Sequence, residues 1–245
     1  MIEQASRSLR EAAGIAVMTG SGISVASGIP TFRDPEEGMW TKVEPYQMAT
    51  PEAFARDPEK VWQWYRWRRR KIEHSQPNRA HHLLAEWQSR LPMIGLTTQN
   101  VDGLHAEAGS TTIRELHGSI RRFICHLCRR ELLLTAQQSD ADAPPHCTHC
   151  QHGLARPAVV WFGEALPEEQ FQAAYQDAQS CSVYLVIGTS GVVEPAASLA
   201  RLAAEHGATV IEINPEPTAL TPHANLSLQT DAVTALTEID QLLHQ

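Results

Sequence analysis

GIAVMTGSGIS, at residues 14–24, joins a short apolar run to a cluster of small residues. This order is typical of a buried strand that passes into a loop whose backbone N–H groups can approach a phosphate. Similar apolar runs recur at 92–98, 182–188 and 209–214, with helical stretches between them. Strands that alternate with helices predict an α/β, Rossmann-like parallel sheet covered on both faces. In such sheets ligands bind beyond the carboxyl ends of the strands.

Two segments interrupt this alternation. Residues 50–90 are helical and rich in Trp and Arg, and residues 121–156 contain two pairs of cysteines. We expect these two segments to form a smaller lobe with a helical part and a zinc-binding part. Residues 1–49, 91–120 and 157–245 then form the Rossmann-like domain.

Composition limits the possible functions. The chain has 245 residues, of which 42% are hydrophobic, so it can bury a large core. Its formal net charge of -8 disfavours a general nucleic-acid binder, which would be strongly basic. There is no apolar run of about 18 residues and no secretory leader. We therefore expect a soluble, cytoplasmic protein without a membrane partner, and a monomer is the default expectation because the sequence does not fix the oligomeric state.

Four of the five cysteines form the pairs Cys125-x-x-Cys128 and Cys147-x-x-Cys150. Two pairs at this spacing predict a tetrahedral zinc site of four thiolates. Four protein ligands leave no position for a water, so the zinc would be structural. A redox-active pair is the alternative. The fifth, Cys181, precedes an apolar run and is expected to be a small buried side chain.

The glycine loop alone is weak evidence for a nucleotide, because a tight turn uses the same small residues. A hydride-transferring dehydrogenase would have a third Gly or Ala at Val25 and an acidic residue about 20 positions further on. Neither is present as required. The loop continues instead through Gly28-Ile-Pro-Thr-Phe-Arg33-Asp34, which is too long for a simple strand-to-helix connection. A dehydrogenase is therefore disfavoured.

Polar side chains follow the predicted strand that ends near residue 98. Gln99, Asn100 and Asp102 are suited to a ribose or a carboxamide, although Asp-Gly also favours a simple turn. His117 ends a further extended segment and is followed by Gly. Because imidazole titrates near neutrality, His117 is the candidate acceptor of a proton from a hydroxyl.

The run from Val61 to Ile72 has helical periodicity, and Tyr65 and Arg68 lie in its apolar stripe. A guanidinium among apolar side chains requires an acceptor, and the Tyr65 hydroxyl on the same face can converge with it on one carboxylate. The alternative is that Arg68 extends to solvent with the basic residues at 66–71. Arg66, Arg69 and Arg70 are expected to be solvated, and residues 139–145 are the candidate flexible segment.

Five motifs, in this order, resemble the sirtuin family over nearly the whole chain. They are Gly20-Ser-Gly-Ile-Ser24, Gly28-Ile-Pro-Thr-Phe-Arg33, Thr98-Gln-Asn-Val-Asp-Gly-Leu-His105, Leu116-His-Gly118 and Arg156-Pro-x-Val-Val-x-Phe-Gly-Glu164. Ser21 stands where the family usually has Ala, which is a change between small residues. Thr31 stands where many members have Asp, and this departure occurs in the branch called class III sirtuins. Tyr65-x-x-Arg68 resembles the pair with which that branch holds the carboxylate of succinyl-, malonyl- or glutaryl-lysine.

The resemblance implies an NAD-dependent protein lysine deacylase whose partners are NAD and acyl-lysine proteins or peptides, with one structural zinc ion. In that family the acyl oxygen attacks the nicotinamide ribose and nicotinamide leaves. A ribose hydroxyl deprotonated by the histidine then attacks the acyl carbon, and free lysine and O-acyl-ADP-ribose are released. The implied catalytic residues are His117, Asn100 and Asp102. The implied cofactor-binding residues are Gly20, Ser21, Gly22, Ser24, Thr31, Phe32, Arg33, Gln99, Asn100, Asp102, Gly188, Thr189, Ser190, Asn214, Glu216 and Ala232. The implied substrate-binding residues are Tyr65, Arg68, Val159, Val160, Phe162, Gly163 and Glu164.

Two rival functions stay open at this point. The first is a plain deacetylase or mono-ADP-ribosyltransferase of the same family, in which Tyr65 and Arg68 are incidental. The second is a zinc-ribbon module that senses NAD or binds nucleic acid, which the acidic charge disfavours. Release of nicotinamide in the presence of NAD and a succinyl-lysine peptide would exclude the second rival.

Overall fold

A computed structural model describes residues 1–31 and 47–244 of the chain. The strands of this part of the chain are β1 Ile15–Thr19, β2 Met93–Thr98, β3 Ile113–Glu115, β4 Gly118–Cys125, β5 Glu131–Leu132, β6 Ala155–Val159, β7 Val183–Ile187, β8 Thr209–Ile213 and β9 Leu226–Leu228. Six of them form a parallel sheet in the order β3-β2-β1-β7-β8-β9. The other three form an antiparallel sheet in the order β5-β4-β6.

The helices are α1 Ile2–Glu11, α2 Pro51–Arg56, α3 Pro58–Glu73, α4 Arg79–Arg90, α5 Leu104–Glu107, α6 Ala136–Ser139, α7 Glu168–Ser180, α8 Ser198–Glu205 and α9 Ala232–Leu243. Short 3-10 helices span Ser21–Ser27 and Thr221–His223. Local sequence fixes several helix starts. Asp57 accepts a hydrogen bond from the Lys60 amide and is followed by Pro58 at the first helical position, where a missing N–H costs nothing.

The six-stranded sheet has an apolar layer on each face. Alternate residues of β1 point to opposite faces, so Val17 packs with α1, α4 and α9 while Met18 packs with α7 and α8. Helices cover both faces of the sheet, so side chains on either side of each strand are buried. This explains why the strands appear in the sequence as continuous apolar runs. This confirms the predicted Rossmann-like α/β fold. Among the described helices, none combines the length and apolar character needed to cross a membrane.

The antiparallel sheet and α3 build the smaller lobe. Val61 and Tyr65 of α3 pack in a cluster between the lobes that includes Val159. Trp62, one position on, packs in a separate cluster with Phe123 and the cysteines of the predicted zinc site. Helix α3 therefore connects the zinc-binding part of the lobe with the rest of the molecule.

Two features differ from the sequence-based expectation. Segment 50–90 is predicted to lie wholly in the smaller lobe, whereas α4 packs on the large sheet through Leu83, Leu84 and Trp87, because these apolar residues share one helical face. The candidate flexible stretch 139–145 includes carbonyl groups that accept hydrogen bonds from α3. The stretch is polar because it pairs with charged residues, and it is held against the helix.

Candidate active site

The carboxyl ends of four neighbouring strands are in register. Thr19, at the end of β1, lies opposite Thr98 on one side and Ile187 on the other, and Ile187 lies opposite Ile213. The loops that follow these strands therefore leave the sheet side by side. They contain most of the residues predicted to bind the cofactor.

The glycine loop after β1 lies directly against the loop after β7. The Gly22 amide donates a 2.8 Å hydrogen bond to the Gly188 carbonyl. A Cβ added to Gly20 would lie 2.7 Å from that carbonyl oxygen, and one added to Gly22 would lie 2.6 Å from the Gly188 Cα. Gly188 also has a φ of +61°. Glycine is required at all three positions because two backbones meet there without side chains between them.

Three buried polar side chains form a cluster beside this loop. The Ser24 hydroxyl donates to Asp102 Oδ2 at 2.8 Å, and Asn100 Nδ2 donates to Ser24 Oγ at 3.1 Å. Burial raises the pKa of Asp102, and hydrogen bonds from the Leu104 amide and from Ser24 oppose this rise. The cluster lines a cavity that also contains Ser21 and reaches Arg68 on α3. The predicted catalytic pair Asn100 and Asp102 thus lies in one cavity with the predicted acyl-binding arginine.

Gln99 joins the loops of two strands. Its side-chain Nε2 donates to Thr189 Oγ1 at 3.0 Å, which links the loop after β2 to the loop after β7. Its main-chain oxygen lies 2.9 Å from Nδ1 of His117. A carbonyl only accepts, so Nδ1 of His117 is the donor and Nε2 is left without a proton.

His117 lies between the two lobes, just before β4. Burial lowers its pKa, although the hydrogen bond to Gln99 acts in the opposite direction. The ring is therefore neutral at pH 7. Its main-chain oxygen accepts a hydrogen bond from the Val160 amide at 2.9 Å, which places the loop after β6 beside it. The site has an unprotonated nitrogen next to the predicted peptide-binding segment.

A polar network beneath the site was not predicted. Thr19 Oγ1 lies 2.9 Å from both Thr98 Oγ1 and His105 Nε2, and the Asn100 amide donates to Thr98 Oγ1 at 3.1 Å. All four residues are buried. The sequence offered one sign of this network, a threonine at the end of each of two apolar runs. An apolar residue would pack equally well at those positions, so the hydroxyl groups indicate a polar role.

Tyr65 and Arg68 are buried on the face of α3 that points to the site, with 1% and 3% of their surfaces exposed. The Arg68 guanidinium carbon lies 4.7 Å from the centre of the Trp64 ring and 5.2 Å from that of Tyr65. Such stacking on aromatic faces favours a cation. The alternative expectation, that Arg68 extends to solvent, is wrong because the side chain is buried. The residue lines the cavity that holds Ser24 and Asn100.

The loop after β6 is held by an internal ion pair. Arg156 donates to Glu164 Oε1 at 2.7 Å and to Oε2 at 2.9 Å, and its guanidinium stacks on Trp161. Glu164 also accepts from the Trp161 amide at 2.9 Å. Val159 is buried within β6. In this structure Glu164 and Val159 therefore shape the loop, while Val160, Phe162 and Gly163 form its span.

The remaining predicted cofactor residues lie further along the same sheet edge. Asn214 follows β8 and donates from Nδ2 to the Glu216 carbonyl at 2.6 Å. Ser190 accepts from the Ala219 amide, so the loops after β7 and β8 touch. Ala232 begins α9, and its side chain packs in the core below the sheet. Thr31 is half-buried. Phe32 and Arg33 lie outside the described residues.

The four cysteines form a structural zinc site. Their sulfur atoms all lie within 4.8 Å of one another, with 3.7 Å between Cys125 and Cys150 and 3.8 Å between Cys128 and Cys147. A tetrahedral zinc with Zn–S bonds of about 2.3 Å separates its sulfurs by about 3.8 Å. The residue after each pair, Arg129 or Gln151, has a positive φ that closes the knuckle. The donor set fits one zinc ion.

Known proteins similar to this chain belong to the family that the motifs resemble. The model of the Sir2 family matches residues 20–195. An NAD-dependent protein deacylase of Thermus thermophilus is 51% identical over 236 residues, which cover 95% of this chain and 91% of the relative. An NAD-dependent protein deacylase of Aquifex aeolicus is 46% identical over 231 residues, which cover 94% of this chain and 95% of the relative.

Solved structures agree in shape. An ADP-ribose complex of a mutant Sir2 homologue has a TM-score of 0.92 and 40% identity, covering 100% of this chain and 97% of that one. An NAD complex of a Sir2 homologue has a TM-score of 0.89 and 40% identity, covering 98% and 93%. Both are complexes with the class of ligand that the loops along the sheet edge are predicted to hold.

Proposed function

The chain belongs to the Sir2 family and is an NAD-dependent protein deacylase, and from this premise we propose that it removes acidic acyl groups such as succinyl and malonyl from lysine. Acetyl groups would also be removed. The proposal concerns the acyl group alone, because the family fixes the NAD dependence and the reaction class.

The observation that carries the proposal is the position of Arg68. Its guanidinium is buried on α3 and lines the same cavity as Asn100 and Asp102. An acyl-lysine whose amide is held near Asn100 would direct the far end of its acyl chain toward α3. A guanidinium binds a carboxylate with two parallel hydrogen bonds, which are about twice as strong as neutral ones. An acetyl group has no carboxylate with which this guanidinium could pair.

NAD would be held by the glycine loop, by Ser24 and Asn100, and by the loops after β7 and β8. These positions fit a dinucleotide because backbone amides and buried polar groups line one edge of the sheet. When bound, NAD supplies the ribose that accepts the acyl group and the nicotinamide that leaves. Asn100 and Asp102 would orient the ribose and the carboxamide.

His117 would act as the general base. Its Nδ1 is held as the donor by Gln99, so Nε2 is free to take the proton of a hydroxyl. The substrate peptide would lie along the loop 160–164, since β6 is an outer strand of the small sheet within the described chain. An extended peptide added there pairs through its main chain, which gives affinity with little dependence on its sequence.

Replacing Arg68 by Met tests the proposal. Loss of the charge-assisted hydrogen bonds should cost about 2 kcal/mol, or roughly thirtyfold in kcat/KM, for a succinyl-lysine peptide. Turnover of the matched acetyl-lysine peptide should change far less, because that substrate has no carboxylate. The measurement is nicotinamide release with both peptides at saturating NAD.

Lys60→Met provides the matched control, since it removes an exposed cation from the same helix. It should leave both activities at the wild-type level. An equal loss on the two peptides in Arg68→Met would show that Arg68 supports the fold or the NAD site and does not select the acyl group.

A further inference from the structure

Two faces of helix α3 make contacts that bear on the site. One face carries Arg68, which lines the site cavity, and Tyr65, which packs beside it between the lobes. An adjacent face carries Trp62 and three arginines toward residues 139–142, Ser-Asp-Ala-Asp, which we name the acidic loop. This loop lies in the zinc-binding segment, between the second and third cysteines.

Main-chain oxygens of the acidic loop accept hydrogen bonds from the helix. Trp62 Nε1 donates to the Ala141 carbonyl at 2.8 Å, and Arg66 Nη1 donates to the Asp140 carbonyl at 2.8 Å. Arg69 Nη2 donates to the Ser139 carbonyl at 2.5 Å. Trp62 and Arg69 are buried. Displacement of the loop would leave buried donors without acceptors, which is costly.

Carboxylates of the acidic loop pair with two of the same arginines. Arg70 donates to both oxygens of Asp140, at 2.8 and 2.5 Å, and Arg66 donates to Asp142 at 2.8 Å. The bond from Arg70, followed by the charges of Arg66 and Arg69, lowers the pKa of Asp140. Three guanidinium groups therefore surround one carboxylate. Each exposed pair contributes little by itself, but together they fix the loop on the helix.

The acidic loop is tied to the zinc site. Trp62 packs in one cluster with Phe123, Cys125 and Cys147, and its ring centre lies 5.6 Å from that of Phe123. The helix, the loop and the cysteine knuckles are thus one packed unit. Because a helix moves as a rigid element, a shift of its loop-facing side is also a shift of Tyr65 and Arg68 in the site.

We infer that the acidic loop and the arginines at 66, 69 and 70 are positioning residues for recognition of the acyl-lysine side chain. They hold α3 at the depth at which Arg68, stacked on Tyr65, lines the cavity that also contains Ser24, Asn100 and Asp102. NAD recognition involves other elements and does not depend on them. The inference rests on the proposed function only in its expectation that an acidic acyl group is affected more than acetyl.

Asp140→Lys is the test, because it places a fourth cation among the three arginines. The KM for the acyl-lysine peptide should rise about fivefold, since a small misplacement of a binding residue has a large effect, while kcat and the KM for NAD stay near wild type. Hydrogen exchange of α3 amides should become faster in the zinc-loaded protein. With succinyl-lysine as the substrate, the rise in KM should exceed that with acetyl-lysine.

The double variant Asp140→Lys with Arg70→Glu restores opposite charges and should return both the KM and the exchange rates most of the way to wild type. Glu86→Lys is the matched control. Glu86 pairs with Arg79 on α4, and the side chains are 44% and 48% exposed, close to the 48% and 53% of Asp140 and Arg70. It should change neither readout.

Wild-type exchange and wild-type KM in Asp140→Lys would overturn the inference. So would a joint rise of the KM values for NAD and peptide that the double variant does not repair, because that pattern indicates general destabilisation. If the wild-type enzyme removes only acetyl groups, the proposed acyl preference fails, and the inference is still judged by α3 exchange and by the KM for the acetyl-lysine peptide.

Discussion

At the scale of single residues, the hydrogen bond from His117 Nδ1 to the Gln99 carbonyl fixes which ring nitrogen can accept a proton. We expect His117→Ala to keep the fold and the zinc but to lose at least about a hundredfold in turnover, which is the usual contribution of a general base. Formation of the deacylated peptide measures turnover, and zinc content with circular dichroism measures the metal site and the fold. His82→Ala, an exposed histidine of α4, serves as the control. Substantial turnover in His117→Ala would place the base elsewhere.

Two other histidines give the stability a pH dependence. Burial lowers the pKa of His105 to about 3 and that of His81 to about 4, and the rings lie 4.9 Å apart. The unfolded chain binds a proton at each ring near pH 6.5, whereas the folded chain does not until the pH is far lower. Unfolding therefore takes up protons, and the free energy of unfolding falls as the pH drops from about 6.5 toward 4, by up to about 1.4 kcal/mol per pH unit for each ring.

Urea unfolding at several pH values between 7.5 and 4.5 measures this slope. His105→Gln should reduce the slope markedly, because one of the two groups is removed and the amide can still reach Thr19. His82→Gln, on the exposed side of α4, should leave the slope as it is. An unchanged slope in His105→Gln would mean that the acid sensitivity arises from other groups.

At the scale of elements, the contact between the loops after β1 and β7 depends on Gly188. A Cβ there would lie 2.6 Å from the Ile23 amide nitrogen, and φ is +61°. Gly188→Ala should therefore lower the free energy of unfolding by more than about 2 kcal/mol and raise the KM for NAD, since strain and a backbone collision add together. Denaturant unfolding and the kinetics of nicotinamide release measure both.

Gly207→Ala separates the two causes. Gly207 has a φ of +87°, but a Cβ added there meets nothing within 4 Å. Only the backbone strain, about 1 kcal/mol, should appear, and the KM for NAD should not change. If the two variants behave alike, the close approach of the loops has no energetic role.

At the scale of the whole molecule, the zinc site supports the smaller lobe. Its apolar cluster is small, so the metal supplies much of the folding free energy, on the order of 10 kcal/mol in zinc modules. Cys147→Ser should lose zinc, become sensitive to proteases within 121–156 and lose most deacylation, while circular dichroism still shows the large sheet. Zinc content, limited proteolysis and activity are the measurements. Normal kcat/KM without zinc would contradict this.

Much of this architecture could be predicted from the sequence, because the fold depends on strong local patterns. The apolar runs became β1, β2, β7 and β8, and the residues after them meet at one edge as expected for parallel strands. The cysteine spacing gave the zinc site. These features depend on periodicity and on ligand spacing, which a single sequence shows directly.

What could not be predicted depends on partners distant in the chain. Strand β9 has only three residues and shows no clear periodicity. Arg66, Arg69 and Arg70 were expected to be solvated, which holds for the exposed Arg70 and not for the buried Arg69. Their carbonyl and carboxylate acceptors are about 70 residues away in the chain. The pairing of Arg156 with both carboxylate oxygens of Glu164 was likewise not foreseen. Contacts of this kind are decided by the assembled fold.

The hydrogen bonds around Tyr65 determine what its hydroxyl can offer. The Trp161 indole donates to the phenol oxygen at 2.9 Å, and the Arg68 guanidinium carbon lies 5.2 Å from the centre of the phenol ring. The indole takes one lone pair of the oxygen and so fixes the direction in which the phenol can donate its own proton to an acceptor. A chain that ends in an ammonium would instead meet the guanidinium of Arg68 beside this phenol, and the repulsion between like charges disfavours it.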